Sequence, residues 1–252
     1  MTIDKPKNEH LIALRSLWKE AFGDTDEFID AFIESAFSPD RCRCVFNGDS
    51  AVAALYWFDC LYREQRVAYL YAIATAKEYR GQGICSKLMK DTHSHLKALG
   101  YAGAILVPGS ERLFEFYEKL GYKTCSSIGE VVCDASESGT DVRHIDAREY
   151  AALRRKLLPL GGVVQENENL DFLKMQASFF AGDDFLLAAR GKGDTLYGVE
   201  LLGDKKKAPA ILQALGYKNG AFRVPAADKP FAMYIPLTDS DIAPSYFGLA
   251  FD

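Results

Sequence analysis

The stretch Arg80-Gly81-Gln82-Gly83-Ile84-Cys85-Ser86 carries the clearest chemical pattern in the chain. It follows an apolar run at 67–75 that reads as a strand buried on both faces. It opens a segment in which Ile84, Leu88, Met89, Leu96 and Leu99 recur at helical spacing, closed by Gly100. The first amides of a helix have no acceptor within the helix, and its dipole adds partial positive charge there. A strand-to-helix corner of this kind can hold a pyrophosphate, and glycines let the main chain approach without a side chain between. Two other phosphate-binding patterns fit less well. A P-loop wants Gly-Lys-Ser/Thr, whereas Gly83 is followed by Ile84 and Cys85. A dinucleotide site wants an acidic residue ending the next strand, and that strand ends in Val107-Pro108.

Other side chains invite chemistry and are better read as structure. Cys42 and Cys44 share one face of an expected strand, yet a zinc site needs a second ligand pair, so packed thiols are expected. His93 and His95 lie two apart on a helix and face different ways, as solvated residues and not metal ligands. Cys85 sits where a helix N-terminus can lower a thiol pKa, but no histidine is placed to activate it. No metal is expected. Tyr117 belongs to an amphipathic helix with Leu113, Phe116 and Leu120, and periodicity alone leaves it either a core aromatic or a proton donor.

The elements that must hold these residues can be traced along the chain. Helices are expected at 10–22 and from Asp24 or Thr25 onward, then a hairpin through Asn47-Gly48-Asp49, with strands at 43–46 and 51–61. A short strand at 104–107 and a helix capped by Ser110 follow. A polar, flexible stretch at 134–141 divides the chain into units 1–135 and 142–252. The second unit reads as helices at 148–158, 170–179 and 209–215, with strands at 185–189, 197–202, 221–224, 231–236 and 246–251. Leu96-Lys97-Ala98-Leu99-Gly100-Tyr101 recurs as Leu212-Gln213-Ala214-Leu215-Gly216-Tyr217, each followed by a Val-Pro, which points to two copies of one fold. The second copy has Gly203-Asp204-Lys205-Lys206-Lys207 where a cradle would stand. Lysine side chains do not replace a nest of main-chain amides.

Bulk properties exclude several classes. A net charge of −5 with no basic stripe argues against nucleic acid. No apolar run approaches the roughly 20 residues of a membrane span, and the polar start has no secretory core, so a cytosolic protein is expected. The six cysteines form no disulfide framework.

Residues 79–84 resemble the R/Q-x-x-G-x-G/A acyl-CoA-binding motif of the GNAT acetyltransferases, and the order of elements from Tyr69 to Tyr122 is similar to that family's core. One departure is Cys85, where the family usually has Gly or Ala, and Ser110 stands where many members have an asparagine that touches the cofactor. The resemblance implies an α+β fold, layered αβα, with a mixed, mostly antiparallel central sheet flanked by helices and, given the echo, duplicated. It implies acetyl-CoA as co-substrate and a small-molecule or peptide amine as acceptor, while charge and hydropathy leave no nucleic-acid or membrane partner expected. It further implies that the main chain of Ile73, Ala74 and Thr75 binds the pantetheine arm. Arg80, Gly81, Gln82, Gly83, Ile84, Cys85 and Ser86 would bind the pyrophosphate, and Tyr117 would protonate the departing thiolate. Asp59, Glu78, the terminal carboxylate of Asp252 and water are candidates for the base. The same resemblance admits a non-catalytic acyl-CoA sensor, or an aminoacyl or peptidyl transferase.

Overall fold

The computed structural model describes residues 1–48, 50–239 and 242–251. After β1 (Thr2–Asp4), the helix α1 (Leu11–Phe22) buries Leu14, Leu17 and Trp18. Helix α2 (Asp26–Ser35) starts at Thr25, whose hydroxyl accepts from the Phe28 amide at 3.3 Å. Strands β2 (Cys42–Asn47), β3 (Ser50–Tyr62) and β4 (Gln65–Thr75) form an antiparallel meander. Next, β5 (Gly103–Leu106) pairs parallel with β4, which requires the crossover that α3 (Ile84–Ala98) provides. Helix α4 (Glu111–Glu118) and β6 (Lys123–Asp134) follow. Long and only half apolar, β6 was not expected: its small and polar residues hide the alternation that marks a strand.

The second half repeats this order in part, without a counterpart of α4. It runs β7 (Arg143–Ile145), α5 (Ala147–Leu157), the two-residue β8 (Val164–Gln165), α6 (Glu168–Leu173), β9 (Ser178–Ala181), β10 (Phe185–Lys192), β11 (Thr195–Gly203), α7 (Ala208–Leu215) and β12 (Asn219–Pro225). Strands β9, β10 and β11 form the meander, and β11 pairs parallel with β12 across α7. The echoed hexapeptides end α3 and α7 in the same way. Gly100 and Gly216 take φ of 82° and 78°, and the tyrosine amide after each bonds the Leu96 or Leu212 carbonyl at 3.0 and 2.9 Å.

The last strand, β13 (Lys229–Pro236), lies between β5 and β6. One sheet results, ordered β1-β2-β3-β4-β5-β13-β6-β12-β11-β10-β9-β7, with β8 on β3; only β4–β5 and β11–β12 are parallel. The expected unit 142–252 thus gives its final strand to the sheet of the first half. Two local expectations also change. The helix expected at 170–179 stops at Leu173, because Phe179 stacks on Tyr150 and residues 178–181 pair with β10. The strand expected at 246–251 is reduced to a single bridge, Gly162 to Tyr246. None of the described helices is long and apolar enough to cross a membrane.

Candidate active site

At the corner between β4 and α3, Gly81 and Gly83 take φ of 76° and 73°, a left-handed backbone that glycine adopts without strain. A Cβ built at either would meet nothing within 4 Å, so the corner is open. The Lys87 amide begins the helical bonding by donating to the Gly83 carbonyl at 3.1 Å. The six amides before it, from Gly81 to Ser86, donate to no acceptor among the described residues. The Arg80 guanidinium folds back to the Thr75 carbonyl at 2.9 Å, and the Gln82 amide group to the Glu78 carbonyl at 2.9 Å, so both side chains brace the turn. The Thr75 hydroxyl is buried with no partner among the described residues. These features fit a diphosphate-bearing ligand: unbonded donors, a helix N-terminus and no side chain in the way.

The gap beside this corner follows from strand pairing. Contacts between β4 and β5 run from Val67 to Tyr69 and then end, while β4 continues to Thr75. On its other edge β4 stays paired with β3, with a register shift beside Ala72, whose φ is +47°. The Ala76 amide donates to Val52 on that β3 side at 2.9 Å. By alternation, Ile73 and Thr75 turn their N–H and C=O toward the gap, as the bond from Arg80 to the Thr75 carbonyl also requires. Ala74 faces β3 instead, opposite Ala54.

The gap opens into a cleft of about 840 Å³. One wall is β4 from Tyr69 to Ile73, and the opposite wall runs from Leu106 through Ser110 into α4, including Tyr117. The far end is aromatic, with Trp18, Phe22, Phe28, Phe231 and Phe251; Arg190 comes from the second half. Of the residues expected from sequence, Ile73 and Tyr117 line the cleft directly. Arg80 to Ser86 do not line it; Cys85 packs in the same apolar cluster as Tyr117.

Tyr117 is buried, and its hydroxyl makes no hydrogen bond to any described residue. Burial, reinforced by Cys85 nearby, raises its pKa well above the ordinary phenol value, so it stays protonated at neutral pH. Burial likewise pushes the Cys85 thiol up to about 11, the reverse of what a nucleophilic cysteine needs. Cys42 and Cys44 pack with sulfurs 3.6 Å apart in the core, and burial raises the Cys42 thiol as well. His93 is not solvated as expected: its ring meets the Tyr122 hydroxyl at 2.8 Å, and burial lowers its pKa to about 4. His95 turns instead toward Trp57.

Two candidate bases lie off the cleft. Asp59, on β3, is held by Tyr101 and Arg66 at the far side of the β4–β5 pairing from the gap, and Glu78 is exposed. Asp252 lies outside the described residues. The carboxylates that do line the cleft are Asp24 and Glu111. From sequence, Asp24 passes as a helix cap; in the structure Thr25 caps and the Asp24 carboxylate accepts from the Trp18 indole at 2.8 Å. Arg190, Lys229, Phe231 and Phe251 were also missed, because they reach the cleft through the long-range placement of β10, β13 and the segment after it.

Comparison with known proteins gives the family and the fold. A family model described as an acetyltransferase (GNAT) domain matches residues 2–125. No curated protein matches the sequence. Among solved structures, a GCN5-related N-acetyltransferase from Kribbella flavida superposes with a TM-score of 0.69 at 18% identity, covering 92% of this chain and 70% of that one. A GCN5-related N-acetyltransferase from Anabaena variabilis gives a TM-score of 0.73 at 12% identity, covering 94% of this chain and 73% of that one. Eis1 from Mycobacterium abscessus gives 0.66 at 13% identity, with 94% and 74% covered. At such identities the likeness is one of fold.

Proposed function

From the premise that this chain belongs to the GNAT acetyltransferases, we propose that it moves an acetyl group from acetyl-CoA to an amine of a small molecule or peptide by direct attack. The observation that carries this reading is the run of six unbonded amides, Gly81 to Ser86, at an open corner beside the β4–β5 gap. Those amides hold the pyrophosphate, and the gap-facing main chain of Ile73 and Thr75, next to Ala74, lines the path of the pantetheine arm.

The neutral amine attacks the thioester carbonyl carbon. A C–N bond forms and the C–S bond breaks. A gap-facing N–H of β4 stabilises the oxygen as charge gathers on it. The Tyr117 hydroxyl, without a partner of its own, donates its proton to the departing sulfur. The amine's proton leaves to water or to a carboxylate at the aromatic end. Fixing amine and thioester together removes the entropy of a two-body encounter, worth about 7–11 kcal/mol.

Residues 142–252 form, in this proposal, a degenerate GNAT-like unit in tandem with 1–135. Its matching order of elements and paired helix caps support the reading, and Arg190 at the cleft supports a role on the acceptor side. The test is release of free thiol from acetyl-CoA with a panel of amines: spermidine, tryptamine and a lysine-containing peptide. Amine-dependent release is expected. Tight acetyl-CoA binding with no release from any amine would make the protein an acyl-CoA sensor instead.

A further inference from the structure

The segment after β13 forms no strand between Ser245 and Phe251, yet it is fixed along its length. The Val163 amide donates to the Tyr246 carbonyl at 2.9 Å, and the Phe247 amide to the Ser126 hydroxyl at 3.0 Å. Arg223 reaches the Gly248 carbonyl at 3.3 Å, and the Gln165 side chain the Leu249 carbonyl at 2.7 Å. Its end, Ala250 and Phe251, lines the cleft, where the Phe251 ring packs on Phe58 and Phe172 at 4.8 and 5.2 Å.

Beneath it lies an ion pair that the proposed reaction does not use. Glu200 on β11 is fully buried, and Arg154 on α5 is 2% exposed. They meet through two bonds, at 2.6 Å and 2.9 Å, and Arg154 also donates to the Val163 carbonyl at 3.1 Å. The remaining capacity of the carboxylate is taken by Tyr150 at 3.1 Å and by Tyr246 at 3.0 Å. A Cβ at Gly248 would come within 2.1 Å of the Glu200 carboxylate and 2.2 Å of the Tyr246 hydroxyl, so only glycine fits there. Buried ion pairs add little net stability over apolar residues of the same volume, and this one holds the geometry of the groups bonded to it.

We propose that Arg154, Glu200 and Tyr246 form a seat that fixes residues 246–251 as a wall of the acceptor chamber. These are positioning residues: they set acceptor affinity through Ala250 and Phe251 without touching the acceptor. The kinetic arm of the proposal rests on the acyl-transfer reading; the structural arm does not.

The experiment compares wild type with Tyr246→Phe and Gly248→Ala, with Glu200→Gln as a harsher third variant. Amide hydrogen exchange is followed by mass spectrometry in segments 246–251, 69–73 and 81–90, alongside KM for acetyl-CoA and for spermidine and tryptamine as acceptor probes. Exchange in 246–251 and 69–73 is expected to rise at least about tenfold in Tyr246→Phe and Gly248→Ala, since each disturbs a bond to a buried charge. Segment 81–90 and the acetyl-CoA KM should stay as in wild type, while KM for whichever probe is turned over rises about tenfold or more with a smaller change in kcat. Wild-type exchange in 246–251, or a loosened tail with 69–73 and acceptor KM unmoved, overturns the seat. The exchange arm reads the seat even if no amine is acetylated, so the two failures are distinguishable.

Discussion

The two parallel crossovers of this sheet have the same build and opposite corners. In β4–α3–β5, the turn into the helix carries Gly81 and Gly83 with open space around both and six amides that bond no described residue. In β11–α7–β12, a Cβ at Gly203 would strike the Asp184 carbonyl at 2.2 Å, and the amides of Asp204, Lys206 and Lys207 are taken. Asp204 donates to the Asp184 carbonyl at 2.9 Å, while its own side chain and carbonyl accept from Lys206 and Lys207 at 3.0 and 3.1 Å. Three lysines thus stand where the donors are closed off. The strands past the corners differ too. After β5 comes α4 with Tyr117; after β12 the chain turns directly into β13. A phosphate cradle needs exposed amides and room, and nearby positive charge is no substitute.

The sharpest way to break this contrast is Tyr117→Phe, which removes the proposed proton donor, a residue the second half lacks. We expect kcat to fall by about 10²–10⁴-fold with acetyl-CoA affinity unchanged, measured by thiol release and calorimetry. Its pH profile carries a sign. The acid form works below its pKa, and burial raises that pKa, so wild-type kcat should show no alkaline loss at the ordinary phenol value of about 10. A loss there would place the donor elsewhere. Next comes Gly83→Val, which puts a branched side chain on a left-handed backbone inside the cradle. Acetyl-CoA affinity should fall about 10–100-fold, mostly by blocking approach, since backbone strain of about 1–2 kcal/mol acts on stability.

His93 tests the packing behind the cradle helix. Its pKa, lowered by burial to about 4, lies below the unfolded value of 6.5, so the unfolded chain binds the extra proton first. Stability should therefore be full above about pH 6.5 and decline as pH falls toward 4, by on the order of 2–3 kcal/mol. His93→Gln should flatten that decline in urea titrations at pH 4.5 and 7. The smallest effect belongs to the second corner. Replacing Lys205, Lys206 and Lys207 together by Ala should leave acetyl-CoA affinity within about twofold of wild type. A large loss would mean that the lysines, and not the amides alone, attract the cofactor.

How much of this the sequence carries depends on the range of the interaction. The cradle was legible because its parts are local: a strand, two glycines and a helix start within a few residues. The role proposed for Tyr117 comes only from the family resemblance, since helical spacing alone fits a core aromatic equally well. The repeated Leu-Gly-Tyr was legible because a helix cap is a local device. By contrast, β13 between β5 and β6, Arg190 at the cleft and the Glu200 seat under Tyr246 all join residues far apart in the chain. No periodicity records such partners. Asp24 shows a subtler loss: a carboxylate before a helix satisfies the capping rule so well that its other use goes unseen.

The account turns on the amides of Gly81 to Ser86, and they can be observed one by one. In ¹⁵N-labelled protein titrated with coenzyme A, these resonances should shift most and saturate together, and those of Gly203 to Lys207 should stay still. Binding of coenzyme A that leaves the Gly81–Ser86 amides unmoved would contradict it.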